Sequence, residues 1–244
     1  MGGQKSTKQL TIVKASGYFL LLLMVVLNLL YYEVFRMEID NHVAVRKAMV
    51  AVEAIGKGRN LFTKENSTEE FNAGCDHVLS LFESAFQLYR AEIFHVPVFL
   101  AISAIEEIAK LEVALFRCMS EPEEVKKQRQ DKLYNHKSKH VIALQEVIAI
   151  GKRLPNAIGE ERVRALLDMA ENGGLVELRE SALYTDSIDG SFITPASIID
   201  KGIARDVILL AIETWDDRLR GLTNHTNELD KRADEIFYTV AGSM

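Results

Sequence analysis

Residues 97–116 constrain the fold of this chain more than any other stretch, because they are almost wholly apolar yet carry charges in their middle. Their polar residues follow the i, i+3, i+4, i+7 spacing of one narrow helical stripe: Ser103, Glu106, Glu107 and Lys110. A helix that is apolar over most of its circumference lies in the middle of a bundle, where carboxylates must be paired or in use. The stripe therefore predicts either a structural ion pair between Glu106 and Lys110 or part of a functional site.

The composition favours a helical fold. The chain has 244 residues with four prolines and 14 glycines, enough for one sizeable domain and an appendage. Its net charge of −6 gives no general attraction to nucleic acid, so contact with RNA would need a local basic cluster. Cys75 and Cys118 fall inside helical patterns, which predicts buried free thiols in a reducing compartment. The sequence lacks a glycine-rich phosphate loop, a nucleophile elbow and a Cys-x-x-Cys pair, so no motif supports a P-loop ATPase, a nucleophile-elbow hydrolase or a zinc finger.

Residues 15–32 form an uncharged apolar segment that is long enough to cross the hydrocarbon core of a bilayer. Tyrosines lie at both of its ends, as is typical of membrane interfaces. The segment ends in Tyr-Tyr-Glu-Val-Phe rather than in the small residues of a signal-peptide cleavage site. We therefore predict an uncleaved, single-pass transmembrane helix at 15–35 after a short basic tail at 1–14. Basic residues on both sides of the segment balance, so charge leaves its orientation open.

The rest of the chain predicts a helical linker at 36–66, a helical domain at 67–222 and a C-terminal helix at 223–244. Apolar periodicity and capping signals predict helices near 38–58, 67–92, 97–119, 141–154, 160–171, 195–222 and 228–240. Residues 175–195 start with some helical periodicity, then alternate and turn at Asp189-Gly190, which predicts an irregular or weakly stranded excursion. The predicted fold class is all-α, a helical bundle preceded by a single transmembrane helix.

The most basic part of the sequence contains two histidines four residues apart, His136 and His140, with Lys137 and Lys139 between them. Histidines at this spacing share one helical face, but the nearby residues do not complete a ligand set, so we predict no metal site. The run is explained either by a solvated basic face or by contact with phosphate or RNA. Lysines beside a titratable imidazole can hold a phosphodiester and move a proton near neutral pH.

Arg129 precedes His136 with six residues between them. An arginine can stabilise charge on a phosphate while a histidine moves a proton, which suits RNA cleavage with the 2′-hydroxyl as internal nucleophile. The spacing is loose and arises by chance in lysine-rich helices. If the basic helix packs beside residues 97–116, Glu106 or Glu107 would orient His136 or Lys139. A purely structural ion-pair network would use the same residues.

Three blocks occur in order: Ala-Ile-Glu-Glu-Ile-Ala-Lys at 104–110, His-Lys-Ser-Lys at 136–139 and Leu-Arg-Glu-Ser-Ala-Leu-Tyr-Thr-Asp at 178–186, with Gly190 and Pro195 beyond. In order and approximate spacing they resemble the AbiV family of bacterial abortive-infection proteins, which is part of the HEPN group of helical domains. The resemblance covers about residues 68–222. It implies a HEPN-like α-helical bundle, commonly dimeric, that acts in phage defence by shutting down the infected cell.

Many HEPN domains are metal-independent ribonucleases whose paired arginine and histidine act at a dimer interface. The resemblance therefore implies a catalytic set in which a histidine transfers the proton: His136, Arg129, Glu106 and Lys110. Of these, Arg129 fits the HEPN spacing only loosely. The residues expected to contact RNA are Lys137, Lys139, His140, Arg179 and Tyr184. Neither a cofactor nor a metal is implied.

The expected partners are a second copy of the chain, the membrane through residues 15–35, RNA or ribosome-associated components, and a phage protein that activates the system. We expect a single-pass protein of the cell membrane with its soluble domain on the cytoplasmic side, because RNA cleavage requires the domain there. The alternative function is a non-enzymatic, membrane-tethered interaction module, in which the same polar residues hold a dimer or bind a phage or host protein.

Overall fold

The computed structural model describes residues 41–120, 122–144 and 152–242, which are mostly helical. The helices are α1 (Asn41–Gly56), α2 (Ser67–Arg90), α3 (His95–Ser120), α4 (His136–Ala143), α5 (Arg153–Ile158), α6 (Glu160–Asn172), α7 (Gly174–Ser181), α8 (Pro195–Ile198), α9 (Lys201–Arg218) and α10 (Asn224–Ala241). Two 3-10 turns, Gln128–Gln130 and Lys132–Tyr134, precede α4. A hairpin of β1 (Asp186–Ile188) and β2 (Ser191–Ile193) follows α7.

Helix α3 lies at the centre of the bundle, as its apolar circumference predicts. It packs against α2 and α9 and also contacts α1, α4 and α7. Ile102, Ile105 and Ile108 are fully buried on it, and each such side chain stabilises the fold by roughly 2 kcal/mol. Helix α10 packs on α2 and α9. The C-terminal helix therefore shares the core of the bundle rather than forming a separate unit.

Capping residues decide where the late helices begin. The single helix predicted at 195–222 is wrong, because the chain forms the short α8 and then begins again with α9. Asp200 accepts the backbone N–H of Ile203 at 2.8 Å and so supplies a second N-cap. Thr223 caps α10 in the same way, through the N–H of Thr226 at 3.1 Å. These two caps set the ends of the connections on both sides of α9.

The weakly stranded excursion predicted within 175–195 is confirmed as a short hairpin after α7. Its strands are antiparallel, with Ser187 opposite Phe192. Asp189 and Gly190 form the turn with φ angles of 51° and 77°. A two-residue hairpin turn of this kind needs positive φ at both positions, which glycine adopts without strain. Phe192 is 75% exposed, so the hairpin presents an aromatic side chain to solvent.

Both thiols are free, as the sequence predicts. Cys75 is fully buried on α2, and burial raises the pKa of its thiol to about 12. Cys118 is only partly buried, and its Sγ lies 3.4 Å from the carbonyl oxygen of Phe62. Cys75 therefore behaves as a small core residue, whereas Cys118 reaches the surface beside the connector that follows α1.

Within the part of the chain that the structure describes, no helix combines the length and the apolar character needed to cross a membrane. The transmembrane helix predicted at 15–35 and the tail at 1–14 lie outside the described residues. Residues 145–151 of the helix predicted at 141–154 lie outside them as well. These predictions stay predictions. The described residues of the predicted helix fall at the end of α4, which ends at Ala143, and at the start of α5, where Lys152 has a left-handed backbone conformation.

A polar group named here the Arg153 cluster joins α5 to α9 and α10; it consists of Arg153, Glu213, Asp216 and Asp234. Arg153 donates to the carboxylates of Glu213 and Asp234, and its Nη2 lies 3.9 Å from Asp216. The guanidinium also stands 4.3 Å from the ring centre of Phe237. Burial raises the pKa of Glu213, the charges of Asp216 and Asp217 raise it further, and the hydrogen bond and charge of Arg153 offset only part of this change.

Candidate functional site

Helix α4 brings three side chains to the polar stripe of α3. Buried Leu133 and Ile142 hold this part of the chain against the core. Asn135 caps the helix by accepting the backbone N–H of Ser138 at 2.8 Å. Three residues at positions i, i+3 and i+4 then share the face that meets Glu106: His136, Lys139 and His140.

Glu106 is the centre of this site, which we name the Glu106 cluster: Glu106, His136, Lys139, His140 and Arg179. Glu106 is 3% exposed, and both of its carboxylate oxygens lie 2.8 Å from Nδ1 of His136. Its Oε1 lies 3.2 Å from Nε2 of His140 and 3.6 Å from Nε of Arg179. Lys139 donates to Oε2. One buried carboxylate therefore meets four nitrogen-bearing side chains from two other helices.

The electrostatics of the cluster keep Glu106 ionised. Burial raises the pKa of Glu106, but hydrogen bonds from His140, Lys139 and His136 outweigh burial and lower it to about 2. Burial lowers the pKa of Lys139, and its contact with Glu106 offsets part of that change. At neutral pH the carboxylate of Glu106 is therefore charged and can only accept hydrogen bonds.

An acceptor-only carboxylate decides which nitrogen of each histidine carries a proton. His136 must donate from Nδ1, which leaves the lone pair of the neutral ring on Nε2. His140 must donate from Nε2, and its Nδ1 is buried without a hydrogen-bond partner among the described residues. The side chain of His136 is 45% exposed, whereas that of His140 is 0% exposed. Of the two, His136 is the one that can exchange a proton with a molecule in solvent.

Arg179 supplies a partly exposed cation next to His136. Helix α7 places it over Phe99 of α3, with Cζ 4.6 Å from the ring centre. Its side chain is 23% exposed, and neither Nη atom has a hydrogen-bond partner within the described ranges. Its Nε is buried, has no hydrogen-bond partner among the described residues and lies at ion-pair distance from Glu106. A guanidinium that is placed by this ion pair and by ring stacking, with both Nη atoms available, is suited to a phosphate group.

Lys110 does not join the Glu106 cluster. Its Nζ lies 2.5 Å from Oε1 of Glu107, one turn back on α3. The ion pair between Glu106 and Lys110, one of the two explanations of the polar stripe, therefore does not form. The reason is the position of α4, whose donors hold the Glu106 carboxylate, so that Lys110 pairs with the more exposed neighbour.

Three other residues predicted for the site also lie outside the cluster. Arg129 is exposed in the first 3-10 turn and has no hydrogen-bond or ion-pair partner in the described part of the chain. Lys137 is exposed on the solvent side of α4. Tyr184 is 68% exposed just after α7, near the hairpin. Arg179, rather than Arg129, is the arginine that the fold brings to His136 and Glu106.

Sequence reasoning missed a buried ion pair farther along α3, between Arg117 and Asp131, the N-cap of the second 3-10 turn. Arg117 is 0% exposed, and its Nη2 lies 2.7 Å from Oδ1 of Asp131. The signal was present, because an arginine between Phe116 and Cys118 interrupts the apolar side of a central helix. A buried guanidinium requires a carboxylate or carbonyl partner.

The chemistry that the Glu106 cluster offers is proton transfer and anion binding. Among the described residues, no group of three or more His, Cys, Asp or Glu side chains is arranged to hold a metal ion. Glu106, His136 and His140 are suitable ligand types, but the ammonium group of Lys139 contacts the same carboxylate. A second cation at that oxygen would be repelled.

A family model described as AbiV, of the HEPN type, matches residues 66–216, which is more than half of the chain. The chain belongs to the AbiV family. No curated protein and no solved structure gives a significant match. The AbiV match begins one residue before α2, ends within α9 and includes every residue of the Glu106 cluster. Membership of the AbiV family supports a role in abortive infection, a defence against phage.

Proposed function

We propose that this AbiV protein defends the cell by cutting RNA without a metal ion, with His136 as the proton-transfer residue. One observation carries the proposal: buried, ionised Glu106 holds Nδ1 of His136, whose side chain is 45% exposed and whose Nε2 is left with the lone pair. A carboxylate that fixes the tautomer of an accessible imidazole is the arrangement that general acid–base catalysis needs.

The proposed reaction uses the 2′-hydroxyl of RNA as the nucleophile. Nε2 of His136 takes the proton from that hydroxyl, and the 2′-oxygen bonds to the adjacent phosphorus. The bond from phosphorus to the 5′-oxygen breaks, leaving a 2′,3′-cyclic phosphate, and the departing oxygen takes a proton from water or from His136 of a second copy. Arg179 stabilises the negative charge that builds on the phosphate.

A ribonuclease assay on the full-length chain tests this proposal, with wild type compared with His136→Ala. We expect the variant to lose about 100-fold or more of the cleavage rate, which is the usual contribution of a general acid or base. His225→Ala is the matched control, because His225 is also partly exposed and paired with a carboxylate, at 2.7 Å from Asp76. Absence of cleavage by folded wild-type protein, or equal cleavage by His136→Ala, would contradict the proposal.

The proposal includes a homodimer anchored through residues 15–35, with its domain on the cytoplasmic side where RNA is found. A cysteine at an exposed hairpin position, Ser191→Cys, tests the orientation with a thiol reagent that cannot cross membranes. We expect labelling only after the cells are lysed. Labelling in intact cells would place the hairpin outside and exclude action on cytoplasmic RNA.

A second function, a non-enzymatic and membrane-tethered interaction module, is favoured by a different observation. The hairpin region exposes Phe192 by 75% and Tyr184 by 68%, and exposed aromatic side chains are typical of sites that bind proteins. In that case the Glu106 cluster would only fix α3, α4 and α7 together. The number of phage plaques on cells that carry each variant separates the two functions. The module predicts that His136→Ala still lowers the number of plaques and that Phe192→Ser does not, whereas the ribonuclease predicts that His136→Ala no longer lowers it.

A further inference from the structure

Arg117 uses all five of its N–H groups in the interior of the protein. Nη1 and Nη2 form a fork on Asp131, at 2.9 Å to Oδ2 and 2.7 Å to Oδ1. The same two nitrogens donate to the carbonyl oxygens of Arg59 and Lys57 at 2.8 and 2.9 Å. Nε donates to the carbonyl oxygen of Ala54 at 2.8 Å. The guanidinium therefore joins the end of α1, the connector after it and Asp131 to α3.

Asp131 in turn fixes the start of the segment that leads to His136. Its Oδ1 accepts the backbone N–H of Leu133 at 3.0 Å and so caps the second 3-10 turn, while Oδ2 accepts the N–H of Arg59 at 3.1 Å. That turn is followed directly by Asn135, the N-cap of α4, and α4 begins at His136. Only residues 132–135 separate the Arg117 and Asp131 pair from the imidazole.

Both ends of this segment are held by the same helix. Arg117 and Glu106 are eleven residues apart on α3, a distance of about 16 Å along a helix axis. Arg117 holds the segment at Asp131, and Glu106 holds it at His136. Because α3 is a single buried helix at the centre of the bundle, the two contacts keep a fixed separation. Because Arg117 fixes the position of Asp131, the chain that leads from Asp131 to the imidazole of His136 begins at a fixed place relative to Glu106.

We propose that Arg117 and Asp131 are positioning residues for His136, and that the pair places Nδ1 of the imidazole against Glu106. The inference rests on the proposed function of His136 as the proton-transfer residue, but it concerns geometry that can be measured without any activity. Gly58 fits the same scheme, because a Cβ atom there would lie 2.2 Å from Nη2 of Arg117. A side chain at position 58 would occupy the space of the Arg117 guanidinium, so this position requires glycine.

The tautomers of the histidines provide the test. In full-length protein labelled with 15N at histidine, at a pH where the rings are neutral, we expect the proton of His136 on Nδ1 and that of His140 on Nε2. In Asp131→Asn and Arg117→Lys the start of the segment is released, so the resonances of His136 should move to a mixture in which Nε2–H is populated. His140, deeper on α4, should keep its Nε2 proton.

Cleavage kinetics give a second readout. Displacement of a catalytic group by about 1 Å can cost about 100-fold in rate, so kcat should fall by one to two orders of magnitude in Asp131→Asn, with KM for RNA changed by less than about threefold. Arg153→Met is the matched control, since it breaks a different buried ion-pair cluster and shares no residue with the segment 131–136. It should leave the tautomer of His136 unchanged.

Loss of stability alone would overturn the inference: if Asp131→Asn and Arg117→Lys unfold more easily but keep His136 fully protonated on Nδ1, the pair is only structural. Should either single variant fail to fold, Arg117→Met combined with Asp131→Leu removes both charges together, a change that folded proteins often tolerate. The same tautomer result decides the question in that variant. Wild-type protein without cleavage activity would contradict the proposed function but leave this result intact.

Discussion

The Glu106 cluster and the Arg153 cluster contain similar groups in opposite proportions. In the first, one buried carboxylate meets two imidazoles, an ammonium group and a guanidinium. In the second, one guanidinium is shared by three carboxylates. The pKa of Glu106 is accordingly lowered, whereas burial raises the pKa of Glu213. In the first cluster two cations, Lys139 and Arg179, face a single carboxylate, and Arg179 and His136 reach solvent, while the second cluster has more carboxylates than cations.

This difference shows how to separate a candidate site from a structural ion pair when both are buried. The number of charges is similar in the two clusters, so it decides nothing. The sign of the surplus and the exposure of one titratable member decide it, because an RNA phosphate is attracted to the first cluster and repelled by the second.

Glu106→Gln should have the largest effect on stability. The substitution leaves Lys139 and Arg179 without their shared anion in a buried place, which typically costs about 3–5 kcal/mol of unfolding free energy. Urea denaturation at neutral pH measures it. Glu107→Gln is the matched control, since Glu107 pairs only with partly exposed Lys110, and its loss should stay below about 1 kcal/mol. Equal losses in the two variants would show that Glu106 is no more central than its neighbour.

Arg153→Met should cost somewhat less, about 3 kcal/mol at neutral pH, because Glu213 and Asp234 lose the guanidinium that donates to them, whereas Asp216 keeps its pair with Arg220. Between pH 7 and about pH 5, where the loss in Glu106→Gln should stay constant, this loss should shrink as the pH falls. The pKa of Glu213 is already raised by burial, so protonation removes the uncompensated charge early. Denaturation at pH 7 and at about pH 5 tests the difference. A loss independent of pH would mean that the acidic surplus is not what separates the two clusters.

In the wild-type protein, the contribution of Glu106 to the free energy of unfolding should decrease as the pH falls, whereas protonation of Glu213 relieves a destabilising charge. The pKa of Glu106 is about 2 in the folded protein against an ordinary value of 4.5, so the unfolded chain binds the proton first. The stabilisation, on the order of 2–3 kcal/mol, is present above about pH 4.5 and is lost as the pH falls toward about 2.

The Glu106→Gln variant, which cannot ionise at this position, is the reference for measuring this loss of stability between about pH 4.5 and about pH 2. The difference in unfolding free energy between wild type and variant should be constant above about pH 5 and should narrow below it. A difference that stays constant down to the acid transition would show that the contacts of His140, Lys139 and His136 do not lower the pKa of Glu106.

His136→Ala should have the smallest effect on stability, below about 1 kcal/mol, because the side chain is 45% exposed and its pair with Glu106 is partly solvated. His140→Ala should cost more, since His140 is fully buried and its removal leaves a cavity. Thermal denaturation of the two variants compares them. If His136 proves as costly as His140, it is a structural residue of the same kind, and the case for proton transfer weakens.

The central helix and its role were predictable because apolar residues around most of a helix leave no other place for it. The cluster residues themselves were named from the basic run and from the AbiV resemblance. Their common partner was offered only as a choice between Glu106 and Glu107, because spacing on one helix cannot show where a second helix will pack. The same limit explains the wrong pairing of Lys110. Lys110 lies three residues after Glu107 and four after Glu106, and it pairs with whichever carboxylate is not already bonded to another helix.

A charged residue on an otherwise apolar helix face indicates a buried, paired charge. This signal pointed to Glu106, but the same signal at two other positions was not recognised. Glu106 attracted attention because it interrupts an apolar helix, yet Arg117 in α3 and Glu213 in α9 interrupt apolar runs in the same way. Both are buried and both are paired with distant residues. The partners could not be named, since Asp131 and Arg153 lie in irregular or short segments where periodicity gives no position.

The reach of Arg117 also bears on where this domain can be cut. The AbiV match begins at residue 66, and a chain shortened to that point would look complete by sequence comparison. Such a fragment would lack the carbonyl groups of Ala54, Lys57 and Arg59, three of the five acceptors of a fully buried guanidinium. The smallest fragment that folds like the native domain must therefore also include the end of α1 and the connector that follows it.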